Sequence, residues 1–384
     1  MPTVDYYPAE LRPLWLGGKV YRETVMFIGE DDRAPLLYSP TEILSVTSYG
    51  GEIEYSLGED LILNTDGTLS LTKHTRVPHL SEEEYYHNNP SSLISIPHNG
   101  KDTFIYWGEG TTMTRWQIAV TYRHTEMPII TKPACFAHRF APFLQKLERG
   151  EDVTVFFYGD SITVGGNCSY LCNTPPFMPS WTMLVAEYLA KRYDFSVRYI
   201  NTGLEKAMPV PASPTVVGSR GTLTYINTAY GGWDSAKGIA GLAERVLAPI
   251  AAHGCDLFVL GHGMNDKRIS PEEYIKKQHV MIDSVLAAAP DAAVLTVATM
   301  YPNPAAPRWC INQPQFEAHL LQMAEEYTEK GIPCAVVPMT TASREILTRK
   351  RFCDCSGNNI NHPNDFLVRL YAQTALQTLL GYAD

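Results

Sequence analysis

Hydrophobic positions change their period once along the chain. Up to about Pro133 they come in short segments, at 19–27, 42–47, 52–55, 61–63, 103–107 and 114–122, separated by Gly, Asp, Asn and Pro. Within the last of these, Trp116, Ile118, Val120 and Tyr122 alternate with Gln117, Ala119 and Thr121, the pattern of a half-buried strand. Many short strands with turn signals at this spacing predict an all-β sandwich of jelly-roll type. The polar stretch from His79 to Ser92, with Glu82-Glu83-Glu84 and Asn88-Asn89-Pro90, predicts a long loop.

Beyond Cys135 the period becomes helical. Phe140, Phe143, Leu144 and Leu147 share one helix face, and Gly150 marks the end of that helix. Short, nearly continuous apolar runs then appear at 153–158, 256–260, 293–299 and 334–337, as strands covered on both faces of a parallel sheet do. Amphipathic segments lie between and after them. Trp181, Leu184, Val185, Tyr188 and Leu189 form one apolar face; Ile275, Ile282, Val285, Leu286 and Ala289 form another; Leu367, Leu370, Tyr371, Ala375 and Leu379 form the last. The chain is therefore expected to fold as a β-sandwich over 1–134, a connecting helix over 135–150, and a doubly wound α/β domain over 151–384. The tetrapeptide Tyr-Ile-Asn-Thr occurs at 199–202 and again at 225–228, which suggests a loop inserted between two neighbouring strand ends.

At 384 residues the chain is long enough for two cores. Its net charge of -10, without clustered Lys or Arg, argues against a nucleic-acid partner. No stretch approaches the roughly 18–20 apolar residues of a membrane span. The first seven residues lack the charged-then-apolar pattern of a secretory leader, so a cytoplasmic location is expected. The eight cysteines show no CxxC spacing, and free thiols rather than a metal site are expected. No cofactor is implied.

Chemistry concentrates where strands end. Gly159-Asp160-Ser161-Ile162 follows the first long run, and in an open parallel sheet ligands bind at the carboxyl ends of the strands. Gly232 (in Asn227-Thr228-Ala229-Tyr230-Gly231-Gly232), Asn265 (in Gly263-Met264-Asn265-Asp266) and His362 (in Asn361-His362-Pro363) fall at similar places. A serine hydroxyl needs a base to take its proton, and His362 suits because a helix starting at Pro363-Asn364-Asp365 would fix its loop. The Ser161 and Gly232 backbone N–H groups and the Asn265 amide can stabilise an oxyanion. Asp160 fits a loop brace, and the loop from Gly165 to Cys172 either a lid or a plain surface loop.

In order and spacing these four blocks resemble the SGNH branch of the GDSL hydrolases, over most of residues 153–370. The resemblance implies a three-layer α/β/α, flavodoxin-like domain and ester hydrolysis through an acyl-enzyme. It makes Ser161 the nucleophile, Gly232 and Asn265 oxyanion donors, and His362 the base. Gly-x-Ser-x-Gly, the elbow of the α/β-hydrolases, does not surround Ser161. One position departs from the family: the aspartate three residues before the histidine is Asn359 here. His362 is then expected to be oriented by Asn359 or a main-chain carbonyl, or else by Asp354 folding back along the loop, with Asp365 serving the helix dipole.

Trp233, His262, Tyr301 and Trp309 are candidate walls for a sugar ring or acyl group, against the competing reading of ordinary packing. A β-sandwich ahead of an SGNH domain resembles some carbohydrate acetylesterases. It implies removal of small acyl groups, acetyl above all, from a small-molecule or oligosaccharide ester. A lipase, thioesterase or acyltransferase on the same fold is the alternative; a carbohydrate-binding protein with a vestigial hydrolase domain is the non-enzymatic one. A homo-oligomer stays open.

Overall fold

The computed structural model describes residues 11–87, 95–206 and 208–381. The leader reading of the first seven residues, and the part of the 79–92 loop from residue 88 on, lie outside them. The N-terminal region is rich in antiparallel strands: β1 (Lys19–Met26), β2 (Glu42–Ser48), β3 (Leu61–Leu63), β4 (Leu69–Leu71), β5 (Tyr86–His87), β6 (Ser95–Pro97), β7 (Phe104–Tyr106) and β8 (Gln117–Arg123). They form sheets in the orders β1-β8-β2, β3-β4 and β5-β7-β6. The 52–55 segment contributes only an isolated bridge between Thr47 and Glu54. Residues Thr114–Trp116 tighten into a 3-10 turn ahead of β8.

Strand β8 is buried on both faces rather than one. Ile118, Val120 and Tyr122 join the main core. On the other face, Gln117 donates its amide N–H groups to the carbonyls of Cys353 (2.6 Å) and Ser356 (2.9 Å). Thr24 of neighbouring β1 donates to the Asp354 carbonyl at 2.6 Å. The face that alternation assigned to solvent is thus covered by the segment leading to His362.

Helix Ala141–Arg149 ends at Gly150, whose φ of 76° is left-handed and whose N–H caps the Leu147 carbonyl. The second region is a six-stranded parallel sheet of β9 (Val153–Gly159), β10 (Phe195–Tyr199), β11 (Gly221–Asn227), β12 (Leu257–Gly261), β13 (Ala293–Val297) and β14 (Cys334–Val337). Its order is β10-β11-β9-β12-β13-β14. The repeated Tyr-Ile-Asn-Thr tetrapeptides end two neighbouring strands in register, with Tyr199 opposite Tyr225.

Strand β9 shows how the layers form. Val153, Val155 and Phe157 point into one core, with helices Trp181–Tyr193 and Asp365–Leu380; Phe156 and Tyr158 point into the other, with helices Pro271–Ala288 and Gln313–Glu329. The first core is continuous with the N-terminal sheets. Helix Asp365–Leu380 is consequently buried on all sides, not along one stripe. Three of its polar residues donate to N-terminal backbone: Arg369 to Tyr21 and Arg22, Gln373 to Arg12, and Gln377 to Pro133. The sheet order reverses direction at β9, so a crevice opens at its carboxyl end.

Candidate active site

Two glycines let the chain reach this crevice. A Cβ on Gly159 would lie 2.3 Å from the Thr163 hydroxyl, and one on Gly261 would lie 2.4 Å from it. The ends of β9 and β12 can therefore close around Thr163, which hydrogen-bonds the Gly261 carbonyl. Asp160 caps the short helix Ser161–Val164 by accepting from the Ile162 N–H at 3.0 Å. Its second oxygen accepts from the Met264 N–H at 3.1 Å, tying the Ser161 turn to the Asn265 loop. Burial pushes this carboxyl up to about 7, against the pull of those two donors.

Ser161 Oγ lies 2.8 Å from His362 Nε2. The other ring nitrogen, Nδ1, faces Asn167 Oδ1 at 2.5 Å and Glu109 Oε2 at 3.2 Å. Asn167 Nδ2 donates to the carbonyls of Gly110 (3.1 Å) and Gly357 (3.2 Å), which fixes the amide with its oxygen toward the histidine. Facing two acceptors, Nδ1 carries the proton. Nε2 is left bare to accept from the serine hydroxyl, the tautomer that base catalysis requires.

Neither Asn359 nor Asp354 orients His362, which corrects the expectation from the sequence. Asn359 has a left-handed φ of 64°. Its amide donates to the Tyr85 hydroxyl (2.9 Å) and the Tyr106 carbonyl (2.7 Å), docking the loop on the N-terminal region. Asp354 is fully buried and accepts from the Met26 N–H at 2.9 Å and from the Arg351 guanidinium. Burial would raise its pKa, but Arg351 and Lys350 outweigh that and hold it down. A main-chain carbonyl is not the partner of Nδ1 either; two side chains are. Asp365 accepts from the Ser169 N–H and so fastens the loop after the nucleophile.

The remaining candidates lie on the loops that follow β11 and β12, the two neighbours of β9 in the sheet. Gly232 (φ 79°) occupies the turn from Tyr230 to Trp233. A Cβ on Gly231 would lie 3.8 Å from Ser161 Cβ, so the Gly231–Gly232 peptide borders the serine. Asn265 donates one amide N–H to the Trp233 carbonyl at 2.9 Å, which leaves its other N–H for a ligand. Asp266 accepts from Ser235 and joins the same two loops.

Of the wall candidates, Trp233 and Trp309 are half-buried and flank the Asn265 loop. Trp233 stacks on Tyr230 with centroids 4.4 Å apart, beneath the Arg245 guanidinium. Trp309 has the Lys267 ammonium 3.3 Å from its ring centroid, and Gln313 bridges its carbonyl to that of Met264. Tyr301 is anchored instead through its N–H to Ser343 and lies beside Arg344. His262 is not a wall: it is buried beneath Tyr158 and Gly238, and burial lowers it to about 4, so it is a neutral packed side chain.

Two residues at the site went unnoticed in the sequence, Asn167 and Glu109. Asn167 sits in Gly-Gly-Asn with φ 65°, a conformation asparagine adopts more readily than most residues. Glu109 lies between two glycines, and 253 residues separate it from His362. Among the described residues, no group of three or more His, Cys, Asp or Glu side chains could hold a metal ion, and no helix is long and apolar enough to cross a membrane.

Known proteins place this geometry in context. The model of the GDSL-like lipase/acylhydrolase family matches residues 155–358, taking in Ser161, Gly232 and Asn265 and ending just before His362. No curated protein sequence matches the chain. Similar solved structures include a two-domain esterase active on acetylated mannans, crystallised with mannopentaose, at 19% identity and a TM-score of 0.43. That match covers 64% of this chain and 53% of the esterase, so the chain spans about half the length of this neighbour. A carbohydrate esterase family 3 protein from Talaromyces cellulolyticus is 16% identical (58% of this chain, 94% of that one, TM-score 0.38). The acetyl xylan esterase AlAXEase is 15% identical (58% and 97%, TM-score 0.39). Since the family model extends over more than half of its length, the chain belongs to the GDSL-like lipases and acylhydrolases.

Proposed function

We propose that the chain is a serine esterase that removes small acyl groups, acetyl above all, from carbohydrate esters, with Ser161 as nucleophile and His362 as general base. The observation that carries this reading is the 2.8 Å contact between Ser161 Oγ and His362 Nε2, with the tautomer set by Asn167. In the first step the Ser161 proton passes to Nε2 as Oγ bonds to the ester carbonyl carbon. The resulting oxyanion accepts from the Ser161 and Gly232 N–H groups and the free Asn265 amide N–H. The imidazolium then returns the proton to the departing sugar oxygen, leaving an acyl-serine. Water repeats the sequence and releases the acid.

The surroundings of the Asn265 loop favour a sugar over a long acyl chain. Two half-buried indoles, Trp233 and Trp309, flank this loop, with the Lys267 ammonium over Trp309 and one Asn265 N–H on the Trp233 carbonyl. Flat aromatic faces with nearby hydrogen-bonding groups suit a pyranose; a fatty chain would need a continuous apolar lining. In this reading residues 1–134 form an accessory unit that closes the site from one side.

The test compares turnover of p-nitrophenyl acetate and octanoate by wild type and Ser161→Ala, followed by mass spectrometry of acetylated oligosaccharides. Ser161→Ala should lower kcat by roughly 10⁴-fold or more, as loss of a serine nucleophile does elsewhere. Equal rates would end the Ser161 assignment. Faster octanoate turnover would replace the small-acyl reading with a lipase or thioesterase one.

A further inference from the structure

We propose that Glu109, supplied by the N-terminal region, takes the place of the aspartate the His362 loop lacks and provides the negative charge that stabilises the imidazolium. This rests on the Ser161–His362 reading above. The segment bearing Glu109 follows β7 and is fastened at both ends to the loops of the site. The Gly108 N–H donates to the Asn358 carbonyl at 3.3 Å, and the Gly110 carbonyl accepts from Asn167. Both oxygens of the carboxylate are engaged. Oε1 accepts from Asn358 Nδ2 at 3.0 Å, and Oε2 lies 3.2 Å from His362 Nδ1. Asn358 is equally committed, since its own Oδ1 accepts from the N–H groups of Ile360, Asn361 and His362. Among the described residues, His362 is the one ion-pair partner Glu109 has.

The division of labour follows from chemistry. Asn167 is buried and neutral; it fixes the ring and its tautomer but offers a positive ring only a dipole. Glu109 offers a full charge, and its side chain is 56% exposed. Burial raises its pKa, but the hydrogen bond and charge of His362, with the Asn358 and Asn167 amides, outweigh that and hold it below the ordinary glutamate range. It is thus ionised whenever His362 must accept the serine proton. Glu109 takes no proton in the reaction: the proton moves from Ser161 Oγ to His362 Nε2 and on to the leaving oxygen. Asp160 also feels the charge of His362, and burial holds its proton up to about pH 7. Glu109 is a positioning and charge-stabilising residue, and the N-terminal region is through it a part of the reacting centre.

The experiment is the pH profile of kcat/KM for p-nitrophenyl acetate at low and high salt, for wild type, Glu109→Gln and Glu109→Asp. Unfolding curves confirm that each variant is folded. Removing one charge at this distance, in a setting open to water, should lower the plateau about tenfold to a hundredfold. The acid limb should move to lower pH by about one unit, because the charge that favours the protonated ring is gone. Raising salt should move the wild-type limb toward that of Glu109→Gln and leave the variant's limb in place, since exposed charges are screened. Glu109→Asp should recover part of the activity and of the limb position.

A folded Glu109→Gln with an unmoved acid limb at both salt concentrations overturns the proposal, whatever its rate, because a merely structural role would not set the limb. Ser161→Ala measured beside it separates the two readings. If Ser161→Ala is inactive and the limb unmoved, only the role of Glu109 fails. If Ser161→Ala stays active, the nucleophile assignment fails first.

Discussion

Substitutions at Asn167 should split stability from catalysis in a way that no other side chain at the site allows. The amide makes three contacts: its nitrogen donates to the Gly110 and Gly357 carbonyls at 3.1 and 3.2 Å, and its oxygen meets His362 Nδ1 at 2.5 Å. Aspartate has the same shape but no donor. Asn167→Asp would lose two hydrogen bonds, each worth about 1 kcal/mol net, and would aim a buried carboxylate at two carbonyl oxygens. The expected loss of stability is roughly 3 kcal/mol, more than the bonds alone because the buried charge is unpaired on that side. Turnover should hold within about tenfold where the protein is folded, since the oxygen facing Nδ1 remains and gains charge. Asn167→Ala and Asn167→Gly lose the same two hydrogen bonds without burying a charge, so they should cost less stability, but they remove the oxygen that faces Nδ1. Losing the orienting group in a serine-protease triad costs about 10⁴ in turnover; here Glu109 still accepts from Nδ1, so about a hundredfold loss in kcat is expected. Between these two, glycine should be the more stable by about 1 kcal/mol, because φ at this position is 65° and a Cβ is strained there. Urea unfolding and p-nitrophenyl acetate kinetics on the three variants suffice. An Asn167→Ala enzyme with wild-type kcat would refute the claim that this amide orients the base. An Asn167→Asp protein as stable as wild type would refute the two carbonyl contacts.

Two other outcomes follow from the same geometry. A Cβ at Gly166 would lie 3.0 Å from the Ser161 carbonyl and 3.2 Å from both Cε1 and Nδ1 of His362, so Gly166→Ala should push the ring off its partners. It should lower kcat about tenfold with KM nearly unchanged, as loss of an interaction needed mainly in the transition state does; a KM effect alone would contradict it. Asp160 and Asp365 are both raised by burial, to about 7 and about 6, from an ordinary 3.8. A carboxyl raised on folding contributes stability that is full below pH 4 and lost as pH climbs through its folded value. Asp365→Asn keeps an oxygen for the Ser169 N–H, so it should flatten the decline in unfolding free energy between pH 4 and 6; an unchanged slope would remove Asp365 as its cause.

What the sequence revealed and what it hid divide along contact range. That Ser161, Gly232 and Asn265 follow strand ends was legible because strand-end turns are local: a glycine where the chain must turn or approach closely, a cap where a helix starts, a short apolar run before each. The orientation of His362 was not legible, because both of its partners come from far along the chain and neither is marked by periodicity. Asn359 was misread for the same reason; its amide answers Tyr85 and Tyr106, 274 and 253 residues away. Helix Asp365–Leu380 shows the effect on a whole element. Its apolar face could be counted from the sequence, but nothing in the sequence shows where Arg369, Gln373 and Gln377 find their partners. They are buried donors to N-terminal carbonyls. The covered face of β8 repeats the lesson through Gln117, whose amide holds the carbonyls of Cys353 and Ser356. A polar residue at helical or strand spacing is ambiguous between water and backbone as its partner, and only the fold decides. Here it decides the same way on β1, β8 and the last helix. The loop carrying His362 is consequently clamped between the α/β sheet and the N-terminal sheets, and the placement of His362 depends on both regions of the chain.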